Sequence, residues 1–335
     1  MSEHDERKRE LGATIGRLRS AYWESRVLLT AVELDLFSAL AGDPATASEV
    51  ADRIVAAPRA TARLMDALVA LGILGRAGTH YVLDDAARAL LVPGGPDFQG
   101  GLRHAAHLWD SWSTLTEAVR AGTRVKERPT GPAGARRTEA FIAAMHAGGS
   151  SRAAGVVRSL DLGGVRRVLD VGGASGAYAM EFVRQGVGLR AAVFDLPDVL
   201  PLTRRYLAEA GMDDRVDTVP GDYLVDDFGA GWDLVFLSNV IHINGPAENR
   251  DLVARAAASL APGGRVVIQE FVPDDDRAGP RHPVLFALNM LVNTIAGDTY
   301  TRAELRSWTT AAGLTWLGSV ETDAPSTLVI AQRPS

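Results

Sequence analysis

A short apolar strand followed by a glycine-rich turn is the first feature of this chain that could do chemistry. The strand is predicted over residues 168–171, the turn runs from Gly172 to Gly176, and the next apolar run, 189–194, leads to Asp195. A glycine turn between a strand and a helix, with an acidic residue about 20 residues later, is typical of a nucleotide site in which the carboxylate binds ribose hydroxyls. The spacing therefore predicts that this turn and Asp195 bind a nucleotide.

The positions of the glycines distinguish between two kinds of nucleotide. A dinucleotide site needs glycine at the first, third and sixth positions of the turn, and these are Gly172, Ala174 and Ala177 here. Alanine is tolerated at the sixth position, but the methyl group of Ala174 stands where a pyrophosphate needs close approach of the backbone. The pattern disfavours NAD and suits a nucleoside without phosphates, such as S-adenosyl-L-methionine.

Charge and composition exclude several classes of protein. The chain has 335 residues, no cysteine and a formal charge of −6, so it offers no thiol chemistry and no broad basic surface for nucleic acid. A small-molecule partner is favoured, and no metal-binding motif occurs. No apolar segment reaches the roughly 18 residues of a membrane span. We therefore expect a cytoplasmic protein that binds no metal, no nucleic acid and no membrane.

The N-terminal elements form a pattern of their own. Apolar residues recur at helical spacing over residues 13–40, which predicts one or two amphipathic helices whose apolar face must be covered. The segment from Thr46 to Glu49 is a capping box that opens a helix to residue 54, and a second helix is predicted over 58–71. Two short strands are predicted within 73–83. Two helices followed by a wing predict a winged-helix domain.

A winged helix raises the alternative of a DNA-binding regulator. The second helix carries only Arg59 and Arg63 as cations, beside Asp66, and the wing adds Arg76. Because DNA binding depends on neutralising many phosphates, so few cations favour a domain that packs on a second subunit.

The second half of the chain alternates strands with helical runs, which predicts a doubly wound α/β sheet. The predicted strands cover residues 168–171, 191–194, 216–219, 234–238 and 265–271, with a closing pair at 315–321 and 326–332. An antiparallel final strand is typical of methyltransferase sheets rather than of dehydrogenases. Loops are predicted at 92–100 and 121–136, around a helical stretch. The predicted division is 1–100 for the first domain, 101–155 for a helical linker and 156–335 for the catalytic domain.

In their order along the chain, these motifs resemble the class I S-adenosyl-L-methionine-dependent O-methyltransferases of the plant caffeate and bacterial natural-product type. The motifs are Leu169-Asp170-Val171-Gly172-Gly173, Phe194-Asp195-Leu196-Pro197, Gly221-Asp222-Tyr223, residues 141–145, His242, Pro262-Gly263-Gly264 and Glu270. The resemblance covers nearly the whole chain. It implies an α/β fold with a Rossmann-like methyltransferase sheet, a mostly helical winged-helix dimerisation domain at the N-terminus, and a homodimer.

The resemblance also implies that S-adenosyl-L-methionine is the cofactor. By this resemblance, Asp195 accepts hydrogen bonds from the ribose hydroxyls, Asp222 accepts one from the adenine amino group, and Tyr223 packs on the adenine ring. The simpler alternative for Asp222 is a turn formed with the preceding glycine. The complete predicted cofactor site is Gly172, Gly173, Asp195, Leu196, Gly221, Asp222, Tyr223 and Ser238.

His242 is the predicted general base. It follows the strand that ends at Ser238, at the edge of the sheet where ligands bind in such folds. The resemblance implies that its imidazole takes the proton of a phenolic hydroxyl as that oxygen attacks the sulfonium methyl. Glu270 ends the next strand and is predicted to hold the other ring nitrogen. The alternative is a histidine that is hydrogen-bonded in the domain interface and does no chemistry.

Two departures from the family pattern concern this base. The usual His-Asp-Trp is His242-Ile243-Asn244 here, and the second histidine-holding glutamate of the family aligns at or beside Thr299, which carries no charge. Half of the carboxylate support for the histidine is therefore predicted to be missing.

The predicted substrate-binding residues come from three helical segments. The resemblance makes Met145 a pocket wall and places the wall that binds the acceptor on the helix of Asn289 and Asn293. His146 could act as a second acid, base or ligand, or could be a capping or solvent-facing histidine. Trp109 could line an aromatic pocket or belong to a half-buried helix face, and the two asparagines could bind the acceptor or cap loops. The set is Trp109, Met145, His146, Asn289, Met290 and Asn293.

The sequence thus predicts an O-methyltransferase that acts on a hydroxyl, phenolic in the leading hypothesis, of a small aromatic or polyketide-like metabolite. A second hypothesis keeps the fold and the cofactor but changes the reaction to N- or C-methylation, hydroxylation or a pericyclic step. It is motivated by the reduced carboxylate support for His242. The third hypothesis is the winged-helix regulator.

Overall fold

The computed structural model describes residues 2–127, 129–323 and 326–335, which divide into two compact units. The first unit ends at His107 and the second begins at Leu108, within the segment predicted as a helical linker. In the described chain, no helix combines the length and the hydropathy that a membrane crossing requires.

The first unit is mostly helical and contains a small sheet. Its helices are α1 (Glu3–Ser20), α2 (Tyr22–Glu33), α3 (Leu36–Ala39), α4 (Ala47–Arg53), α5 (Pro58–Ala70) and α6 (Asp85–Leu91), and α7 (Gly101–Trp112) crosses the boundary between the units. Its strands are β1 (Ala45–Thr46), β2 (Gly75–Ala77) and β3 (His80–Val82), which form an antiparallel sheet in the order β1-β3-β2.

The predicted winged-helix pattern is confirmed by the order α4, α5, β2, β3. Its capping box is present: Thr46 Oγ1 accepts from the backbone N–H of Glu49 at 3.3 Å, and the Glu49 carboxylate accepts from the N–H of Thr46 at 2.7 Å. Arg63 and Arg76, which are two of the three cations considered for DNA contact, both pair with Asp66 at 3.0 Å. Their charges are therefore partly neutralised within the domain.

The N-terminal helices present apolar side chains to the surface. Helix α1 begins earlier than predicted, at Glu3, and none of its described residues is buried. The exposed apolar residues on α1 and α2 are Leu11, Ile15, Leu18, Tyr22 and Trp23. The core of this unit instead gathers around buried residues of α3, α5 and the wing, among them Phe37, Met65 and Tyr81.

The second unit is an α/β layered structure. Its helices are α8 (Leu115–Ala121), α9 (Gly131–Arg158), α10 (Ala177–Gln185), α11 (Leu200–Glu209), α12 (Pro246–Ser259), α13 (Arg281–Asn293) and α14 (Arg302–Ala311), with a 3-10 turn at Ile241–Ile243. Its strands are β4 (Arg167–Val171), β5 (Arg190–Asp195), β6 (Val216–Pro220), β7 (Trp232–Ser238), β8 (Leu260–Glu270), β9 (Thr315–Glu321) and β10 (Thr327–Gln332).

The described strands of this unit form a seven-stranded sheet in the order β6-β5-β4-β7-β8-β10-β9. The first five strands in this order are parallel, and β10 runs antiparallel to β8, as predicted from the sequence. The order reverses between β4 and β7, and ligands bind outside the carboxyl ends of strands at such a reversal. Apolar cores cover both faces of the sheet, which explains the near-continuous apolar runs of its strands.

The predicted loop at 121–136 is wrong in its second part, because α9 already begins at Gly131. Glycine and proline suggested a loop there. Pro132 lies in the first turn of α9, where a missing N–H costs no helical hydrogen bond, so a proline is compatible with the helix.

Candidate active site

The glycine turn lies between β4 and α10, at the carboxyl edge of the sheet. Gly172 has a φ of +67°, and a Cβ at this position would lie 2.7 Å from Cγ2 of Val240. A Cβ on Gly173 would lie 2.6 Å from Oδ2 of Asp170. Both positions therefore require glycine for reasons of space, and the backbone of the turn stays accessible to a ligand.

Asp170 lies under this turn and is fully buried. Its Oδ2 accepts from the backbone N–H of Ala179 at 3.2 Å, while Oδ1 is buried and has no hydrogen-bond partner among the described residues. Burial, which disfavours the charged carboxylate, raises the pKa of Asp170 to about 7, and the N–H of Ala179 offsets only part of this effect.

Asp170 is expected to make the stability of the cofactor-free protein depend on pH. Between its ordinary pKa of about 4 and its folded-state pKa of about 7, the folded protein holds a proton that the unfolded chain has released. The free energy of unfolding should therefore fall as the pH rises through this window, by about 4 kcal/mol from this group, of which roughly 2 kcal/mol is lost above pH 5.5. In Asp170→Asn, which mimics the neutral acid, this part of the decline should disappear.

Urea unfolding at pH 5.5 and pH 8 checks this expectation through the difference between wild type and Asp170→Asn. A variant in which Asp214, an exposed aspartate of the same unit, is changed to asparagine serves as the control for the loss of a carboxylate. Equal declines in wild type and Asp170→Asn would contradict the assignment.

Asp195 ends β5, and both oxygens of its carboxylate accept backbone hydrogen bonds. Oδ2 accepts from the N–H of Ala174 at 2.8 Å, and Oδ1 accepts from the N–H of Leu196 at 2.8 Å. Ala174 has a φ of +52°, a conformation that alanine rarely adopts, so this carboxylate helps to hold the turn in shape. Burial raises the pKa of Asp195. Each oxygen can still accept a second donor, which two ribose hydroxyls would supply.

The next strand brings Gly221, Asp222 and Tyr223 to the same edge. A Cβ on Gly221 would lie 2.2 Å from Cζ of Phe194, so a larger residue does not fit. Oδ1 of Asp222 accepts from the N–H of Leu224 at 2.9 Å, which forms the turn of the simpler alternative. Its Oδ2 has no hydrogen bond among the described residues, so one oxygen remains for a ligand.

Leu196 and Ser238 flank this corner. The Leu196 side chain is 46% exposed beside Asp195, where an apolar ring could cover it. The Ser238 hydroxyl donates to Oε1 of Gln269 at 3.0 Å and accepts from Nδ2 of Asn239 at 3.0 Å. Ser238 is therefore part of a hydrogen-bond network at the ends of β7 and β8, and its hydroxyl proton is already used.

His242 and Glu270 form the hydrogen-bonded pair predicted from the sequence. The imidazole Nδ1 lies 2.8 Å from Oε2 of Glu270, and the backbone N–H of His242 donates to Oε1 at 3.2 Å. Both residues are buried. Because one carboxylate binds both the ring and the backbone of the histidine, the ring orientation is fixed. With Nδ1 as donor, Nε2 is the basic nitrogen and has no hydrogen bond among the described residues.

Sequence reasoning missed a polar network around the 3-10 turn that carries His242. The Tyr223 hydroxyl donates to Oδ1 of Asn244 at 3.3 Å, and Nδ2 of Asn244 donates to the carbonyl of Val240 at 3.3 Å. Nδ2 of Asn249 donates to the carbonyl of Ile241 at 2.9 Å. Burial raises the pKa of Tyr223 to about 12, so the tyrosine stays a donor. The position of Asn244, two residues after His242, was the only signal for this network in the sequence.

Thr299 provides no substitute for the second carboxylate of the family. Its backbone N–H donates to Oδ1 of Asp298 at 2.7 Å, and its carbonyl accepts from Arg277 at 2.8 Å. The nearby carboxylates of Asp298 and Glu304 pair with Arg277. Of the carboxylates in the described chain, Glu270 is the one hydrogen-bonded to His242.

An aromatic wall stands beside His242. The ring of Phe286 on α13 lies 4.9 Å from the imidazole, and the ring of Phe271 lies 6.4 Å from it, measured between centroids. His282 extends the cluster, with its ring 4.7 Å from Phe271. We call Phe271, His282 and Phe286 the aromatic wall. Helical spacing from Asn289 back to Phe286 was the signal in the sequence for this wall.

The two predicted amides on α13 are hydrogen-bonded to each other. Nδ2 of Asn293 donates to Oδ1 of Asn289 at 3.1 Å, and this oxygen also accepts from Nε1 of Trp112 at 2.9 Å. Met290 points into the core and is buried. Trp109 lies half-buried on α7, one turn before Trp112.

Met145 and His146 lie on α9 and differ in their surroundings. Met145 is 36% exposed, which leaves its thioether available as a pocket wall. The His146 ring stacks on Tyr206 at 4.0 Å, and its Nδ1 lies 3.0 Å from the hydroxyl of Ser175. Loss of hydration lowers the pKa of His146. The structure thus brings His146 to the glycine turn, with a partner for each ring nitrogen.

The geometry combines a nucleoside-binding corner with an oriented imidazole beside an aromatic wall. Within the described residues, no His, Asp and Glu side chains converge into a cluster that could hold a metal ion. Such a site can transfer a group from a nucleoside cofactor to an acceptor that loses a proton to Nε2.

Comparisons with known proteins agree with this geometry. Residues 112–315 match the model of the O-methyltransferase domain, and residues 17–93 match that of the O-methyltransferase dimerisation domain. The chain is 36% identical over 314 residues to the 3-hydroxy-5-methyl-1-naphthoate 3-O-methyltransferase of Streptomyces sahachiroi, which covers 92% of this chain and 91% of that protein.

Two further proteins are similar over nearly the whole chain. The tetracenomycin polyketide synthesis 8-O-methyl transferase TcmO of Streptomyces glaucescens is 34% identical over 327 residues, covering 95% of this chain and 96% of that protein. The crystal structure of human N-acetylserotonin methyltransferase in complex with S-adenosyl-L-methionine matches with a TM-score of 0.85 and 25% identity, over 97% of this chain and 98% of that chain.

Proposed function

The chain belongs to the S-adenosyl-L-methionine-dependent O-methyltransferases with an N-terminal dimerisation domain, and from this membership we propose that it methylates a phenolic hydroxyl of an aromatic or polyketide-derived metabolite. The names of the two bacterial relatives support this acceptor class. The observation that carries the proposal is the buried His242–Glu270 pair, which leaves Nε2 unpaired beside the aromatic wall.

S-adenosyl-L-methionine supplies an activated methyl group on its sulfonium sulfur when it is bound. In the proposed mechanism, Asp195 binds the ribose hydroxyls, Asp222 binds the adenine amino group, and the glycine turn leaves space for the methionine arm. Tyr223 and Leu196 cover the adenine. The exposed Met145 side chain and the aromatic wall hold the acceptor ring. Alignment of oxygen, methyl and sulfur accounts for much of the rate in such a site.

The proposed role of His242 is to take the phenolic proton at Nε2 as the oxygen attacks the methyl carbon. The proton passes to the imidazole, the C–O bond forms, and the C–S bond breaks. Glu270 keeps the proton on Nδ1 and stabilises the imidazolium that forms, as an orienting carboxylate does in other triads. A single buried carboxylate with two contacts to the histidine can provide this orientation without the second glutamate.

We also propose a homodimer formed through the first unit. Of the exposed apolar residues of α1 and α2, Leu18, Tyr22 and Trp23 lie within the matched dimerisation domain, and apolar surface of this kind is stabilised by burial in an interface.

Methyl-labelled cofactor tests the proposed reaction with a matched pair of acceptors, 2-naphthol and 2-naphthylamine. We expect the label in the methyl ether of 2-naphthol, located by NMR. Label on the nitrogen of 2-naphthylamine alone, or on a ring carbon, would favour N- or C-methylation. A product that carries no label would contradict methyl transfer.

A further inference from the structure

Arg152 is a cationic side chain for which the structure shows no partner. It lies on α9, two turns after Met145, and its Nη2 would be 3.0 Å from a Cβ on Gly148, so the guanidinium folds back along the helix. Its Nε is buried and makes no hydrogen bond, and no ion pair of the described residues includes Arg152. Arg277, by contrast, pairs with two carboxylates.

An unpaired and partly buried guanidinium is costly. It carries five N–H donors, and removing such donors from water without a partner costs free energy. A glycine at position 148 leaves the space into which the guanidinium folds. An anion bound by this guanidinium would supply the missing hydrogen bonds and offset this cost.

The location of Arg152 limits which anion this can be. Gly149, the residue after Gly148, packs against the start of α10, the helix that follows the glycine turn. A Cβ on Gly149 would lie 3.2 Å from Cβ of Ala177, the first residue of that helix. His282 of the aromatic wall gives a second constraint, because it feels the charge of Arg152. Partial loss of hydration lowers the pKa of His282, and the positive charge of Arg152 lowers it further, which places the two groups within electrostatic range.

We propose that Arg152 binds a carboxylate at the junction of the glycine turn and the aromatic wall. A guanidinium matches a carboxylate with two parallel hydrogen bonds. The proposal rests on the proposed function, because that reaction offers two carboxylates at this junction: the amino-acid carboxylate of the cofactor and a ring carboxylate of an acidic acceptor. Arg152 does not contact the reacting atoms, so it acts on affinity.

The first arm of the test asks whether Arg152 binds the amino-acid carboxylate of the cofactor. S-adenosylhomocysteine and 5′-methylthioadenosine, which lacks the amino-acid portion, are titrated by calorimetry into wild type and Arg152→Met. The control is Arg158→Met, which removes an exposed arginine from the same helix. If the cofactor supplies the carboxylate, Arg152→Met should weaken the binding of S-adenosylhomocysteine at least tenfold. The affinity for 5′-methylthioadenosine should stay within twofold of wild type.

The second arm measures the acceptor carboxylate with 3-hydroxy-1-naphthoate and 2-naphthol, which differ only by that group. If the acceptor is the source, Arg152→Met should weaken the binding of 3-hydroxy-1-naphthoate at least tenfold and leave that of 2-naphthol within twofold. Arg152→Lys should restore part of the affinity for whichever ligand Arg152→Met weakens, because lysine keeps the positive charge but cannot make the two parallel hydrogen bonds of a guanidinium.

A carboxylate-selective loss in either arm supports the proposal. Equal effects on both members of each pair, or no effect in both arms, would overturn it. Arg152→Met should also melt no lower than wild type without ligand, whereas a purely structural role would lower its melting temperature. Both arms measure binding, so a selective loss in a protein that methylates no acceptor would support the Arg152 assignment and reject the proposed reaction.

Discussion

Asparagine in place of His242 is expected to reduce kcat for a weakly acidic phenol by about 10²- to 10⁴-fold, the usual contribution of a general base. The substitution separates orientation from basicity. The side-chain amide of asparagine places an N–H near the position of Nδ1, so the hydrogen bond to Glu270 can persist, but nothing replaces Nε2. The affinity for the cofactor should stay within threefold of wild type.

The acidity of the acceptor provides the decisive comparison for His242→Asn. A phenol that is already ionised at the assay pH needs no base, so the variant should retain most of the wild-type rate with a nitrophenol-type acceptor. His80→Asn, which changes an exposed histidine of the wing, controls for the loss of an imidazole. An equal loss of kcat with neutral and ionised phenols would assign His242 a purely structural role.

The second large effect is expected at Asp195. Asp195→Asn should weaken the binding of S-adenosyl-L-methionine at least 100-fold, roughly 3 kcal/mol, because two hydrogen bonds from hydroxyls to a charged acceptor are lost or reversed. The amide also turns a donor toward a ribose hydroxyl or toward the N–H of Ala174, which already donates to this side chain. Calorimetric titration of the cofactor measures the change directly.

Two observations separate loss of binding from loss of folding in Asp195→Asn. Burial raises the pKa of Asp195, so replacing the charge with a neutral amide should not lower the melting temperature greatly. Asp198→Asn, which changes an exposed carboxylate three residues later, should bind the cofactor like wild type. A dissociation constant for Asp195→Asn within threefold of wild type would show that this carboxylate does not bind the ribose.

Local pattern was sufficient to predict most of the fold. The alternation of strands and helices after residue 167 predicted the doubly wound sheet, since its central strands β4, β5 and β7 are buried on both faces. The capping box at Thr46 and Glu49 was visible because its two residues are neighbours on one helical turn. The predicted loop at 121–136 extended too far, past the start of α9, because Pro132 fits both a loop and the first turn of a helix.

The main elements of the site could be predicted for a related reason. Gly172 and Asp195 end consecutive parallel strands, and so do Ser238 and Glu270, so chain order alone brings them to one edge. Pairing in register then places Glu270 within reach of His242 across 28 residues of sequence. The sequence could not show that the same carboxylate also holds the backbone of His242.

The sequence by itself determined the family, the cofactor and the alternation of strands and helices, because these depend on residue types at fixed spacings along the chain. Only the tertiary structure decided which side chains lack partners. The raised pKa of Asp170, the contact of Tyr223 with Asn244 and the unpaired guanidinium of Arg152 all depend on groups from different elements. Burial and hydrogen bonding are properties of the packed chain, and no local pattern encodes them.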